Sequence, residues 1–176
     1  MNPRTLVVAR HAQAEPFASD DHARRLTEAG RADAHALGAG LAGQGLVPDA
    51  VLVSDATRTR ETWQAMLHGA RDAGATWEPA EEITRAAYNA EVDVLLQLIR
   101  ERPAEARCVV VVGHNPTVAS AALLLEDGDG DADAAAEMVH GHPTAARAVF
   151  SVPGEWVDLD FGGATLRSFV VARAGD

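Results

Sequence analysis

Short runs of consecutive apolar residues alternate along this chain with longer segments in which apolar residues recur every three or four positions. The runs Leu6-Val7-Val8-Ala9, Ala50-Val51-Leu52-Val53 and Val109-Val110-Val111-Val112 have the length and β-branched content of strands. The pattern predicts strands at 5–10, 50–53 and 107–113, the last apolar throughout, as a strand covered on both faces should be. A weak strand is expected over 79–83. Helices are predicted at 27–43, where Leu26, Ala34, Leu37 and Leu41 fall near helical spacing, and at 57–72. A further helix at 91–101 carries Val92, Leu95, Leu96 and Ile99 on one face and stops before Pro103. Thr27 is placed to cap the first helix, while Asn115 and Pro116 are placed to cap and open one running to about residue 125. Strands near 145–152, 156–160 and 165–173 close the chain and include an antiparallel edge. The alternation predicts an α/β fold, a three-layer α/β/α sandwich with a mostly parallel central sheet and helices on both faces.

Composition changes this picture little. A chain of 176 residues without repeats or a second composition regime is expected to form a single domain, 1–176. Its 47% hydrophobic and 23% charged residues are those of a globular protein. No apolar run reaches the length of a membrane span, and the N-terminal stretch is too short for a signal peptide, so a cytoplasmic protein is expected. The net charge of −11 argues against a general nucleic-acid binder. All 15 basic residues are Arg, so an Arg is a weak signal by itself and its position must carry the argument. The single cysteine, Cys108, excludes an internal disulfide and reads as a small core residue at the start of a buried strand. The run Asp127–Asp133 faintly resembles a calcium loop, but Ala132 stands where the turn needs Gly and Met138 where a bidentate Glu belongs. A solvated acidic loop is expected there.

Three of the predicted strands end in residues that carry chemistry. Arg10-His11 follows the first, Ser54-Asp55-Ala56-Thr57-Arg58 the second, and His114 follows Gly113 at the end of the third. In open α/β sheets the carboxyl ends of strands form the rim where ligands bind. Two imidazoles and two guanidiniums with no evident carboxylate partner suit a phosphoryl group. Arg10 and Arg58 offer planar forks that match phosphate oxygens two at a time. Phosphoryl transfer asks mainly for positioning and for stabilisation of spread charge, which two Arg supply without a metal. The neighbouring guanidiniums disfavour an imidazolium, so His11 is expected to stay neutral and nucleophilic. His114 precedes a helix N-terminus, whose dipole favours anions and lowers a histidine pKa. Arg60, two residues further along the same helix, should point away from Arg58. The long polar loop 12–25 beside this rim also reads as functional.

Taken together, the segments 6–12, 54–62 and 112–116 resemble the three signature segments of the histidine phosphatase superfamily, whose fold is phosphoglycerate-mutase-like. The resemblance implies that His11 becomes phosphorylated and that Arg10, Arg58 and His114 line the phosphate pocket. Ala12 stands where most of the superfamily has Gly. Ala12, Ala14 and the stretch Asp21-His22-Ala23-Arg24-Arg25-Leu26-Thr27-Glu28-Ala29-Gly30 are similar to the SixA-type phosphohistidine phosphatases. Arg25 replaces a Pro of that pattern, which implies a less rigid loop. Asp21 and Arg24 either pin this loop beside the pocket as substrate-binding residues or form an exposed ion pair worth little. Mutase and acid-phosphatase relatives place a Glu or Asp acid after the third strand. Here Glu81, Glu82 and Glu91 lie outside that context, with Glu91 the remaining candidate for a general acid. An ester's alkoxide needs protonation to leave, whereas the imidazole of phosphohistidine departs more easily.

The expected function is therefore a phosphatase that works without metal or cofactor through a phosphohistidine intermediate, acting on phosphohistidine carried by a protein. A small-molecule phosphomonoesterase acting on a sugar or nucleotide phosphate is the first alternative. A non-catalytic phosphate-binding module is the second, although such a module has no need of a nucleophile. The expected partner is a phosphorylated protein or a small phosphate ester, with no nucleic acid and no membrane.

Overall fold

The computed structural model describes residues 3–175. Six strands form one sheet: β1 (Arg4–Arg10), β2 (Ala50–Ser54), β3 (Ala80–Thr84), β4 (Cys108–Gly113), β5 (Ala146–Val152) and β6 (Thr165–Val171). Their order is β3-β2-β4-β1-β5-β6. The first four strands pair in parallel, while β5 and β6 pair antiparallel on the flank. Five helices cover the sheet: α1 (Glu28–Gly43), α2 (Thr57–Asp72), α3 (Val92–Arg100), α4 (Thr117–Leu125) and α5 (Ala132–Val139). This is the three-layer α/β sandwich expected from the alternation.

Strand side chains alternate between faces, and the core divides accordingly. Leu6, Val8, Leu52, Val109 and Val111 face Leu95, Leu96 and Ile99 of α3, Val118 and Leu125 of α4, and Met138 of α5. Val7, Val51, Val53, Val110 and Val112 face Leu37 and Leu41 of α1 and Trp63 and Met66 of α2. The apolar runs are continuous because both faces are buried. Cys108 opens β4 as a buried free thiol, and burial pushes its pKa up to about 12.

Helices α1 and α2 touch backbone to backbone. A Cβ on Gly69 would stand 1.9 Å from the His35 carbonyl oxygen, and one on Gly38 would stand 2.0 Å from that of Met66. Only glycine admits this approach, and it fixes α2 against α1.

Three expectations are corrected. Residues 156–160 do not form a strand. Trp156–Asp158 make a 3-10 turn, because the Trp156 ring is buried and its indole N–H donates to the Ala106 carbonyl at 2.8 Å. The acidic segment is not all loop: Asp131 caps α5 by accepting the Ala134 N–H at 2.9 Å. Asn115 does not cap α4. Its amide donates to the His142 carbonyl at 2.9 Å, the Asn115–Pro116 peptide is cis, and the helix starts at Thr117.

Candidate active site

Parallel pairing sets Arg10 opposite Gly113, and the His11 N–H donates to the Gly113 carbonyl at 3.0 Å. The next residues of each strand therefore leave the sheet side by side, with the His11 and His114 rings 5.3 Å apart. On the other side of β4, β2 ends at Ser54, whose hydroxyl lies 2.8 Å from Nε2 of His114. Helix α2 then begins, with Arg58 in its first turn. Thr62, one turn later, accepts the Ala12 N–H at 3.0 Å and donates to the Arg58 carbonyl at 2.6 Å. The helix that carries Arg58 thus also holds the backbone beside His11.

His11 is 7% exposed. Its Nδ1 lies 2.8 Å from the Ala12 carbonyl, which can only accept. That contact assigns the proton to Nδ1 and leaves the Nε2 lone pair free. Burial, with the charges of Arg58, Arg10 and Arg24, lowers the His11 pKa to about 4. The side chain is a neutral nucleophile at neutral pH, as expected, although burial outweighs the guanidiniums. Burial also leads for His114, helped by Arg58, and takes it to about 3. The Ser54 hydroxyl accepts the Ala56 N–H, so its own proton is available to His114 Nε2. His114 Nδ1 has no hydrogen-bond partner among the described residues.

Arg10 reaches the His142 carbonyl at 3.1 Å, the same oxygen that anchors Asn115. The segment between α5 and β5 therefore ties the ends of β1 and β4 together. Ala145, in the left-handed region at φ 59°, donates its N–H to the His11 carbonyl at 3.1 Å. His142 is buried against Phe169, and burial lowers its pKa to about 4.

The expectation of guanidiniums without a carboxylate is corrected. Arg58 donates to both the carbonyl and Oδ2 of Asp21, at 2.7 and 3.0 Å. Asp21 also accepts from Arg24 at 3.0 Å and from the Tyr88 hydroxyl at 2.8 Å. These bonds, Arg24's foremost, hold its carboxyl well below the usual range. Asp21 and Arg24 thus belong to a network at the pocket rather than to an isolated surface pair. The loop is fastened elsewhere too. Glu61 of α2 accepts from the Leu26 N–H, Arg25 and Arg31, and His22 meets Asp55 at 2.8 Å. Arg25, which replaces the Pro of the pattern, is one of the residues paired with Glu61.

Among the described residues, none of the carboxylates considered as acids is bonded to a strand-end His or Arg. Glu81 accepts from the Trp63 indole, Glu82 pairs with Arg102, and Glu91 is exposed at the start of α3 with no capping bond. Arg60 is exposed whereas Arg58 is buried. A cavity of about 500 Å³ between α1 and α2, lined in part by Arg31, His35 and His68, contains none of the strand-end residues. Among the described residues no cluster of three His, Cys, Asp or Glu could hold a metal ion.

Sequence reasoning missed Tyr88, Ser54 and His142. Tyr88 is the chain's one tyrosine, its ring edge-on to His114 at 5.4 Å and to His22 at 4.9 Å, with the Arg85 guanidinium 4.9 Å from its centre. A polar residue completing an apolar strand was the available signal for Ser54. Nothing local marks His142.

The sequence profile described as histidine phosphatase superfamily, branch 1, matches residues 6–85. A Mycobacterium tuberculosis protein of uncharacterized function is 35% identical over 166 residues, covering 93% of this chain and 99% of that protein. A Nakamurella multipartitia structure provisionally assigned as the phosphohistidine phosphatase SixA superposes with a TM-score of 0.85 at 32% identity, covering 98% of both chains. An Agrobacterium tumefaciens structure with the same provisional assignment gives 0.77 at 28% identity, covering 97% of this chain and 99% of that one.

Proposed function

The chain belongs to the histidine phosphatase superfamily and is a phosphatase, and from that premise we propose that it removes phosphate from phosphohistidine carried on a protein, through a phosphohistidine of its own at His11. The observation that carries this reading is the His11 tautomer. With Nδ1–H committed to the Ala12 carbonyl, Nε2 is the free nucleophile beside Arg10, Arg58 and His114. Nε2 attacks phosphorus in line with the departing group. Arg10, Arg58 and His114 receive the phosphoryl oxygens as charge spreads over them. Water then attacks the phosphorylated His11, releasing inorganic phosphate and restoring the imidazole.

The substrate follows from the acids around the pocket. An oxygen ester needs its alkoxide protonated. Asp21 is held ionised, and Glu91 has no bond to any pocket residue among those described. An imidazole leaving group fits such a site better than an alkoxide. The two provisional SixA assignments support the same reading.

Rapid quenching with a 32P-labelled phosphohistidine peptide tests it. Label should appear on His11 in an acid-labile, alkali-stable linkage, and His11→Ala should lose both label and turnover. Turnover retained by that variant would refute the proposal.

A further inference from the structure

Asp21 is an odd neighbour for a phosphate. Its carboxylate shares Arg58 with the pocket, yet it would repel the oxygens of any phosphoryl group bound there. Three donors hold it: Arg24 on Oδ1, and Arg58 and Tyr88 on Oδ2. A carboxylate offers about four acceptor sites, so one remains, and the side chain is 54% exposed. A fixed, ionised and reachable acceptor beside a phosphoryl site is matched by a substrate with a donor close to phosphorus. A phosphorylated imidazole has one when its second ring nitrogen is protonated, the form in which the ring can leave neutral, whereas a simple alkyl or aryl phosphate has none.

We infer that Asp21, braced by Tyr88 and Arg24, reads the leaving group by accepting a hydrogen bond from the distal ring N–H of a phosphorylated imidazole. The inference rests on the reading proposed above and narrows it to phosphoramidates of imidazole over oxygen esters. The carboxylate keeps the distal nitrogen protonated. In that state, attack by His11 Nε2 forms the new P–N bond as the old one breaks. The electron pair of the broken bond goes to the departing nitrogen, the distal nitrogen keeps its proton, and imidazole leaves neutral. Without that proton the ring would have to leave as an imidazolide anion. For an oxygen ester, Asp21 supplies no proton and adds only repulsion. The Tyr88 ring, whose hydroxyl donates to the same carboxylate and which packs edge-on with His22, offers the leaving ring a wall.

The test compares kcat/KM for 1-phosphoimidazole, a phosphohistidine peptide and an aryl phosphate in the parent, Asp21→Asn and Asp21→Glu. Substrate ratios are taken on one sample, so an unfolded fraction cancels. In Asp21→Asn the ratio of phosphoimidazole to aryl phosphate should fall about tenfold or more, as expected for a charge-assisted bond lost, and Asp21→Glu should recover part of it. A loss transmitted only through Arg58 lowers both substrates alike; an unchanged ratio overturns the inference. A parent that cleaves phosphoimidazole in an Asp21-dependent ratio but leaves the peptide intact refutes the protein substrate and keeps the role of Asp21. A parent that cleaves the peptide with a ratio indifferent to Asp21 does the reverse.

Discussion

Arg58 shows how much one guanidinium holds. Both of its terminal nitrogens are engaged by Asp21, and it stands among the groups that lower the His11 and His114 pKa values. Replacing it by Lys keeps the charge and loses the fork. Arg58→Lys should lose roughly 1.5–3 kcal/mol of transition-state stabilisation, about ten- to a hundredfold in kcat/KM. Steady-state kinetics with an aryl phosphate checks this, and a near-parental rate would remove Arg58 from phosphoryl binding. Arg10, His11, Arg58 and His114 were legible as candidates because a strand end is a local feature of sequence. Asp21 was legible as a residue but not as a partner, since its bond to Arg58 spans 37 positions and depends on how the loop folds back. Ser54 and His142 act through contacts of the same long-range kind.

Elements with strong periodicity emerged nearly as read. Helix α2 spans the predicted residues, and Thr27 caps α1 by accepting the Gly30 N–H at 2.9 Å. The misreadings fall where the pattern is faint. Helix α5 has eight residues and buries only Ala134 and Met138, so its face is too narrow to register. The segment at 156–160 has the composition of a strand but follows Pro153 and Gly154, and one buried indole decides its course. The α1–α2 contact is equally invisible to periodicity, because it depends on side chains that are missing. Gly69→Ala should force the two helices apart and cost about 1–3 kcal/mol, as overpacking does. Urea denaturation measures it; an unchanged midpoint would show that the helices separate freely. Because α2 carries Arg58 and Thr62, this variant should also lose activity while folded.

At the scale of the molecule, the buried His11 and His142 and the half-buried His114 make stability depend on pH. His11, His114 and His142 have pKa values near 4, 3 and 4, against about 6.5 for an exposed histidine. Their folded values are depressed, so below pH 6.5 the unfolded chain binds protons that the native state refuses. Their contribution is complete above about pH 6.5 and is lost as pH falls toward 4, by at most ~3 kcal/mol for each of His11 and His142. The urea midpoint should drop between pH 7 and pH 5, and His142→Leu should flatten the slope whatever it does to the midpoint at pH 7. A midpoint indifferent to pH would mean that these rings are protonated in the native state. The layered sandwich was foreseeable from alternation alone. The strand order was not, because nothing in the sequence says that β1 lies between β4 and β5.

The lone thiol has a practical consequence. Cys108 opens β4, between β1 and β2 in the sheet, where burial keeps it protonated and inert. The residue is 6% exposed, so a thiol reagent should modify it far faster when β4 leaves the sheet. The wild-type chain thus carries a clock for its own global opening: alkylation at a single atom, with no engineered probe and no second cysteine to confuse the count.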